Sequence, residues 1–255
     1  MRSLSEGVDQ FAEHGWLLTR DLDDRGVADL VRWVDEVSSW PDDSEGWLHY
    51  REMTDGGPQL CRTENFVPFH EGLRALLTTG TMLATASALL GQPAVLYKEK
   101  INYKFAGGAG YAPHQDAPAY RFVETHVSCM VAVDDSLIDN GCLEVASGMH
   151  AEVLPVDDHG CIRADVAGAL TWMAVEVRAG ETLWFHSRTP HRSGPNRSST
   201  PRRALYPTYN AAAEGELRAD YYRQKQAELA QLAAAGDGER VPVSLIGDFQ
   251  GRPVR

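Results

Sequence analysis

The stretch ETLWFHSRTPHRSGPNRSSTPRRALYPTYN (181–210) consists of short β-forming runs separated by turn residues. Clusters of Gly, Pro, Asn and Ser bound these runs, as they do strands in β-rich folds. The predicted strands are Thr182–Phe185, His191–Ser193 and Arg203–Tyr209. The segment GPNRSSTP (194–201) is typical of a turn. If the runs on either side of it pair as a hairpin, Arg202 or Arg203 returns beside His191 and Ser193.

The same alternation of short β-forming runs and turns is found earlier in the chain. The predicted strands are Val95–Phe105, Val127–Val133, Cys142–Val145 and Ala174–Val177. Many short strands without alternating helices favour an antiparallel sandwich or barrel over a doubly wound α/β fold. We therefore predict a mainly β fold with some α, in a single domain (1–255) whose β-core lies at about 95–210.

Helical segments flank this β-core on both sides. The predicted helices are 5–14, 22–37, 70–90 and 216–235, with a short strand at Trp16–Thr19. They predict an N-terminal helical layer and a C-terminal helix. Residues 41–65 are polar and rich in turn residues, and long connections of this kind are often functional. We predict that Trp40–Phe66 is a lid over the site and that residues 236–255 are irregular.

Composition excludes several classes of function. A formal net charge of −12 argues against nucleic-acid or anionic-membrane binding, because both need clustered positive charge. The first residues, MRSLSEGVDQ, contain no apolar core of a secretory signal, and no apolar run approaches the roughly 20 residues needed to span a bilayer. The four cysteines lack zinc-ribbon spacing. We expect a cytoplasmic protein with reduced, buried cysteines that binds a small-molecule substrate.

The triplet HQD (114–116) is the first half of a candidate metal site. On an extended segment, residues two apart point to the same face, so this imidazole and this carboxylate can bind one metal ion. A second imidazole can come from His186 or His191. We favour His191, because the returning arginine lies beside it, whereas His186 ends the preceding apolar strand without such a partner. Two histidines and one carboxylate leave three positions open on the metal, which is diagnostic of non-haem Fe(II) oxygenases.

The chain resembles the phytanoyl-CoA dioxygenase family in several stretches. They are FAEHGWLLTRDL (11–22), YKEKINYK (97–104), HQD (114–116), DNGCLEVASGMH (139–150), AGETLWFHSRTPHRSGPNRS (179–198) and PRRALYPTYN (201–210). The resemblance covers most of the chain. It implies a double-stranded β-helix core, the jelly-roll or cupin-like fold, that binds Fe(II) and 2-oxoglutarate and uses O₂. It also implies an enzyme that hydroxylates an unactivated C–H bond of a small polar substrate.

The resemblance implies roles for individual residues as well. The metal-ligand positions of the family fall on His114, Asp116 and His191. Arg202 falls on the position that binds the distal carboxylate of 2-oxoglutarate, and Ser193 falls on its hydrogen-bonding helper. Lys100 and Met130 fall near positions that line this co-substrate. Lys98, Lys100, Asn102 and Lys104 alternate on one predicted strand, so they are expected to share a face.

Four blocks are similar to the enzymes of this family that hydroxylate small aminophosphonates, such as 2-aminoethylphosphonate or its N-methylated form. These blocks are RTENF (62–66), KEKINYK (98–104), HQDAPAY (114–120) and CMVAVDD (129–135). The candidate substrate contacts are Asn102, Gln115, Arg62, Asn65 and Tyr50. Arg62 can pair with a phosphonate or carboxylate group. An ammonium group can bind among the rings of Tyr103, Tyr111 and Tyr120.

Two other functions fit the same residues. A natural-product tailoring oxygenase would have the same iron site and differ only in its pocket. A non-catalytic jelly-roll protein could bind zinc or another ligand at the triad. Arg202 and Ser193 argue against this second alternative, because a simple metal or sugar binder needs no clamp for 2-oxoglutarate. The sequence does not predict the oligomeric state.

Overall fold

The structure is a computed structural model, which describes residues 4–42, 46–120, 123, 126–234, 243–244 and 246–254. The helices are α1 (Leu4–His14), α2 (Asp24–Ser38), α3 (Glu71–Thr78), α4 (Gly80–Leu90), α5 (Ala164–Ala169) and α6 (Arg218–Ala234). The first six strands are β1 (Trp16–Arg20), β2 (Leu48–Thr54), β3 (Gly57–Glu64), β4 (Ala94–Lys98), β5 (Lys100–Lys104) and β6 (Tyr111–His114). The later strands are β7 (His126–Ala132), β8 (Leu143–Val145), β9 (Met173–Val175), β10 (Glu181–His186), β11 (His191–Ser193), β12 (Arg202–Leu205), β13 (Thr208–Ala211) and β14 (Pro253–Val254).

The strands form two antiparallel sheets. The larger sheet has ten strands in the order β1-β10-β7-β12-β5-β3-β2-β14, with β13 paired to both β4 and β7. The smaller sheet has the order β6-β11-β8-β9. Strands far apart in the chain lie side by side, as β1 does with β10 and β5 with β12. The mainly β, jelly-roll prediction is confirmed.

The N-terminal helices pack on the larger sheet through one apolar face each. In α2, the spacing of Leu30, Val34 and Val37 places three fully buried side chains on one stripe. They belong to the same core cluster as Ile101 and Trp184 of the larger sheet. Burial of each such side chain stabilises the fold by roughly 1.5–3 kcal/mol. The expected helical layer is therefore held by the core of the sheet.

The predicted helix at 70–90 is two helices. The chain bends at Thr79, which is extended, and at Gly80, whose φ is 61°. By length and a mean hydropathy of 1.3, the segment Glu71–Leu90 could cross a membrane. Core helices of other proteins have the same length and composition. Here Leu73, Leu77 and Met82 are buried in the main core cluster.

The prediction of a lid at residues 40–66 is wrong. Most of this segment is the hairpin β2–β3, and β3 pairs with β5 inside the larger sheet. The turn is Asp55-Gly56, and Gly57, whose φ is 101°, begins β3. Asp-Gly between alternating residues is a strong hairpin signal, which the polarity of the surrounding sequence obscures.

Residues 246–254, here called the C-terminal strap, are ordered against three other parts of the chain. The predicted irregular segment thus contains a short strand, β14, which pairs with β2. Four backbone hydrogen bonds hold the rest: Ala112 N to Asp248 O (2.7 Å), Gln250 N to Gly110 O (3.1 Å), Gly247 N to His159 O (2.8 Å) and Met53 N to Arg252 O (2.8 Å). Residues 235–242, 245 and 255 lie outside the described residues, so the predicted helix is confirmed only as far as Ala234.

Candidate metal centre

Three predicted ligands come together between β6, β11 and the turn after β6. His114 ends β6 and pairs directly with His191, the first residue of β11. Asp116 follows two residues after His114. One ligand atom from each residue lies within 4.8 Å of the others, and all three side chains are buried. Strand pairing therefore unites ligands that are far apart in the sequence.

The two histidines present the same nitrogen to the centre. His114 Nδ1 lies 2.7 Å from Ala112 O, and His191 Nδ1 lies 3.0 Å from Thr189 O. A carbonyl oxygen only accepts, so each Nδ1 carries a proton, and each Nε2 is the nitrogen left to bind a metal. The ring centroids are 4.1 Å apart.

The third ligand is held as an anion. Burial raises the pKa of Asp116, but His191 and Lys98 outweigh it, and the pKa lies well below its usual range. Ser128 Oγ donates to Asp116 Oδ2 at 2.6 Å, which orients the carboxylate. Burial, with His114 next, lowers the pKa of His191 to about 4, so its imidazole is neutral at neutral pH. Two imidazoles and one carboxylate fit the donor set of a ferrous facial triad.

Two small cavities meet at these ligands. They share the lining residues Lys98, Lys100, His114, Asp116, Tyr120 and Asp248. The first, here called the sheet cavity, has a volume of about 30 Å³ and extends to Tyr206 and Asn102. The second, the strap cavity, has a volume of about 20 Å³ and extends to Arg62, Lys225 and Ile246. The centre is thus reached from two sides.

Two buried cations lie beyond the far end of the sheet cavity. Arg202 is the neighbour of Lys104 in the β12–β5 pairing, and its Nη2 donates to the Tyr206 hydroxyl at 2.8 Å. Lys104 Nζ donates to Ser193 Oγ at 2.9 Å and to Gly194 O at 2.6 Å. Within the described part of the chain neither cation forms an ion pair. The positive charges of both side chains are therefore not balanced by a carboxylate of the described residues.

Arg203 and His186, the alternatives to Arg202 and His191 in the sequence, contact other residues. Arg203 Nε donates to Asp134 at 2.8 Å, and its guanidinium also pairs with Asp35. The ring of His186 contacts the ring of His150. His191 thus pairs with His114, and Arg202 lies beside Lys104.

Four of the remaining candidates line or adjoin the cavities. Arg62 lines the strap cavity, Asn102 and Lys100 line the sheet cavity, and Arg62 Nε donates to Asn102 Oδ1 at 3.0 Å. Met130 is fully buried in the core cluster that contains Phe185 and Tyr206, so it belongs to the apolar wall beside the sheet cavity. Lys98, Lys100 and Asn102 share the expected face, although Glu99 separates β4 from β5.

Three predicted substrate contacts do not line either cavity. Gln115 points away from both ligands that flank it, as alternation along an extended segment requires, and its amide bonds to the carbonyls of Glu152 and Arg188. Tyr50 is buried in a separate cluster with Cys61. Asn65 has a φ of 60° and accepts from Arg218 Nη2 at 2.8 Å.

The tyrosine rings do not form an open cage. Tyr103 stacks on Phe105 inside the core. Lys98 Nζ lies 4.1 Å from the centroid of Tyr120, and Arg62 lies 5.6 Å from that of Tyr111. Cations of the protein itself therefore face the two rings that line the cavities.

A buried ion network joins α6 to the strap cavity. Lys225 Nζ lies 2.6 Å from Glu64 Oε2, and Arg62 Nη1 lies 3.5 Å from Glu64 Oε1. Burial alone would raise the pKa of Glu64, but Lys225 and Arg62 lower it to about 2. This carboxylate therefore contributes stability above its unfolded pKa, and the contribution is lost as pH falls from about 4.5 towards 2.

We expect Lys225→Ala to lower the free energy of unfolding by about 3–5 kcal/mol, because it leaves Glu64 buried with only one cation. Urea denaturation at pH 7 measures this change. Gln224→Ala, at an exposed site on the same helix, is the matched control and should have little effect. Equal stability of the two variants would show that the network contributes nothing.

Comparison with known proteins places the chain in a family. A family model described as phytanoyl-CoA dioxygenase (PhyH) matches residues 11–204. The chain is 45% identical over 250 residues to a methylphosphonate hydroxylase of Gimesia maris, covering 97% of this chain and 96% of that protein. The chain belongs to the phytanoyl-CoA dioxygenase family. The dioxygenase class expected from the sequence is thereby confirmed.

Further similarities agree with this family. A 2-aminoethylphosphonate dioxygenase of the uncultured bacterium HF130_AEPn_1 is 36% identical over 236 residues, which are 90% of each chain. The crystal structure of the non-heme alpha ketoglutarate dependent epimerase SnoN from nogalamycin biosynthesis matches with a TM-score of 0.70 at 24% identity, over 82% of this chain and 83% of that one. SnoN has also been solved with Fe3+ and alpha ketoglutarate. At this identity the likeness shows the fold of the family.

Proposed function

We propose that the protein is an Fe(II)- and 2-oxoglutarate-dependent dioxygenase that hydroxylates a small alkylphosphonate, such as methylphosphonate or 2-aminoethylphosphonate. The observation that carries the proposal is a pair of lysines, Lys98 and Lys100, which line both cavities beside the triad. Among the described residues, none accepts a hydrogen bond from either Nζ atom. A buried cation without a hydrogen-bond acceptor is costly, so an anionic group of the substrate fits between them.

The pKa values of both lysines agree with this interpretation. Burial, followed by the charge of Lys100, holds the pKa of Lys98 well below its usual range. Burial, followed by the charge of Arg62, lowers the pKa of Lys100 to about 8. A bound anion favours the charged form of both groups and so recovers the energy that burial costs.

The triad and the arginine end of the sheet cavity have separate tasks in this proposal. His114, Asp116 and His191 hold Fe(II), which supplies the oxidation chemistry together with 2-oxoglutarate and O₂. Arg202, Lys104 and Ser193 bind the distal carboxylate of 2-oxoglutarate. Arg202 and Lys104 are neighbours on the paired strands β12 and β5, and Lys104 contacts Ser193 of β11, so the three residues fix the direction of this co-substrate relative to the triad.

The remaining chain positions the substrate and excludes water. Lys98 and Lys100 hold the phosphonate so that its carbon faces the triad. The C-terminal strap covers the strap cavity through Ile246 and Asp248, and α6 covers it through Tyr221 and Lys225. A closed, dry site keeps the reactive centre close to one C–H bond, where a misplacement of about 1 Å is expensive.

The names of two relatives support a phosphonate as the substrate class. One is a methylphosphonate hydroxylase and the other a 2-aminoethylphosphonate dioxygenase, and both cover at least nine tenths of this chain. The similarity to SnoN is limited to the fold, so it does not favour a tailoring oxygenase. Four free, buried cysteines fit the cytoplasm that we propose as the location.

The experiment that tests this function is an assay with purified protein, Fe(II), 2-oxoglutarate and ascorbate. Methylphosphonate and 2-aminoethylphosphonate should each be tested for stimulation of succinate formation, with ³¹P NMR to detect a 1-hydroxyphosphonate. We expect one succinate for each hydroxylated product. Succinate formation that no phosphonate stimulates would refute the proposal.

A substitution separates the phosphonate clamp from the co-substrate end. We expect Lys98→Met to raise KM for the phosphonate by about 10–100-fold, because one charge-assisted contact worth roughly 1.5–3 kcal/mol is lost. KM for 2-oxoglutarate should stay near its wild-type value. The converse pattern would assign Lys98 to the co-substrate.

A further inference from the structure

One buried carboxylate beside the metal centre remains outside the functions assigned above. Asp248 of the C-terminal strap is 3% exposed and lines both cavities. Its Oδ2 lies 3.3 Å from His114 Nε2, at the edge of the triad. Its Oδ1 is buried and has no hydrogen-bond partner within the described part of the chain.

The strap fixes this carboxylate firmly. The carbonyl oxygen of Asp248 accepts from Ala112 N at 2.7 Å, two residues before the ligand His114. Hydrogen bonds of Gly247 and Gln250 to His159 and Gly110 hold the residues on either side. The carboxylate therefore stays in the cavity when a substrate enters, and it must be accommodated there.

The unpartnered Oδ1 of Asp248 is a hydrogen-bond acceptor, so its partner in the filled site is a donor. A buried acceptor without a donor costs about 1–3 kcal/mol. The neighbouring free donors, Lys98 and Lys100, are the groups that the phosphonate itself needs. A ligand that brings a donor of its own therefore satisfies this oxygen without taking a lysine from the phosphonate.

We infer that Asp248 accepts a hydrogen bond from the P–OH group of a phosphonate monoanion and so makes the site selective for phosphonates over sulfonates. This inference rests on the proposed function. The two lysines bind the ionised oxygens, and Asp248 binds the protonated one. A sulfonate has the same tetrahedral shape and three oxygens but no proton to donate, so its oxygens face the carboxylate with repulsion. Sites built to pair a hydroxyl reject analogues that lack it.

The ammonium of 2-aminoethylphosphonate is the other donor that a substrate can offer. The P–OH group is favoured because the cations Lys98, Lys100 and Arg62 line these cavities, and the Glu64 carboxylate among them is already paired with Lys225. In addition, cations of the protein face the rings of Tyr111 and Tyr120. A further cation in the ligand would add repulsion, whereas a P–OH group does not.

Binding of methylphosphonate and methanesulfonate to the anaerobic enzyme loaded with Fe(II) and 2-oxoglutarate tests the inference. Calorimetric titration is done at a pH below the second ionisation of methylphosphonate, where both ligands carry one negative charge. We expect the wild-type protein to bind methylphosphonate at least 100-fold more tightly. Asp248→Asn should reduce this preference to below tenfold, because its amide can donate to a sulfonate oxygen. Asp139→Asn, an exposed carboxylate away from the triad, is the control and should keep the wild-type preference.

Each other outcome overturns the inference. A wild-type protein without preference contradicts it even if Asp248→Asn fails to fold. A variant that keeps the preference but loses affinity only for 2-aminoethylphosphonate would assign Asp248 to the ammonium group instead. If no phosphonate binds or is oxidised, the proposed function itself fails. If methylphosphonate is oxidised and Asp248→Asn keeps the preference, only this inference fails.

Discussion

His114→Ala is expected to reduce phosphonate-dependent succinate formation by roughly 1000-fold or more, beyond the 10–100-fold loss typical of outer-shell partners of a metal. The substitution removes one of three ligand atoms that lie within 4.8 Å of each other. Two remaining ligands cannot hold the ion in the facial arrangement that leaves three positions open. Iron content per protein chain should fall together with activity.

The matched control for this prediction is His186→Ala. His186 belongs to the same stretch as His191, but its ring contacts Phe11 and His150 rather than the triad. We expect this variant to keep its iron and most of its activity. Wild-type turnover by His114→Ala, or loss of iron from His186→Ala alone, would move the metal site away from the triad.

Arg202→Ala is expected to raise KM for 2-oxoglutarate by about 100-fold, within the 2–5 kcal/mol usual when one partner of a buried charge pair is removed. KM for the phosphonate should change little, since Arg202 lies at the far end of the sheet cavity, next to Tyr206. Steady-state kinetics with each substrate varied in turn separates the two constants.

Arg203→Ala is the control in this case. Its guanidinium pairs with Asp134 and Asp35 on the other face of β12, so its loss should lower stability without changing affinity for 2-oxoglutarate. If Arg203→Ala raises this KM and Arg202→Ala does not, the co-substrate is held by the opposite face of the strand.

The residues of the triad could be predicted because the sequence close to each of them indicates its role. His114 and Asp116 share a face by alternation, and the turn at 194–201 places an arginine near His191. Lys104 escaped assignment, although it alternates with Lys100, because only the β12–β5 pairing shows that it lies beside Arg202. Such a contact depends on long-range register.

The predictions that were wrong also concern segments whose partners are distant in the chain. The polar hairpin β2–β3 reads as a loop because its polar side chains, Arg62 and Glu64 among them, are buried against partners from distant segments. Asp248 has no periodic or motif context, since it lies in a tail that is ordered by hydrogen bonds to residues 53, 110, 112 and 159. Composition rules cannot anticipate burial of this kind.

The direct pairing of His114 with His191 ties metal binding to strand alignment. Successive side chains of a strand alternate between faces, so a slip of β11 by one residue would turn His191 outwards and bring Arg192 to the ion. Loops between Asp116 and β11 can therefore vary in length more readily than the strands themselves, whereas a single deletion inside either strand would displace a ligand from the centre. A bound ion would in turn stabilise the pairing of the two strands in this register.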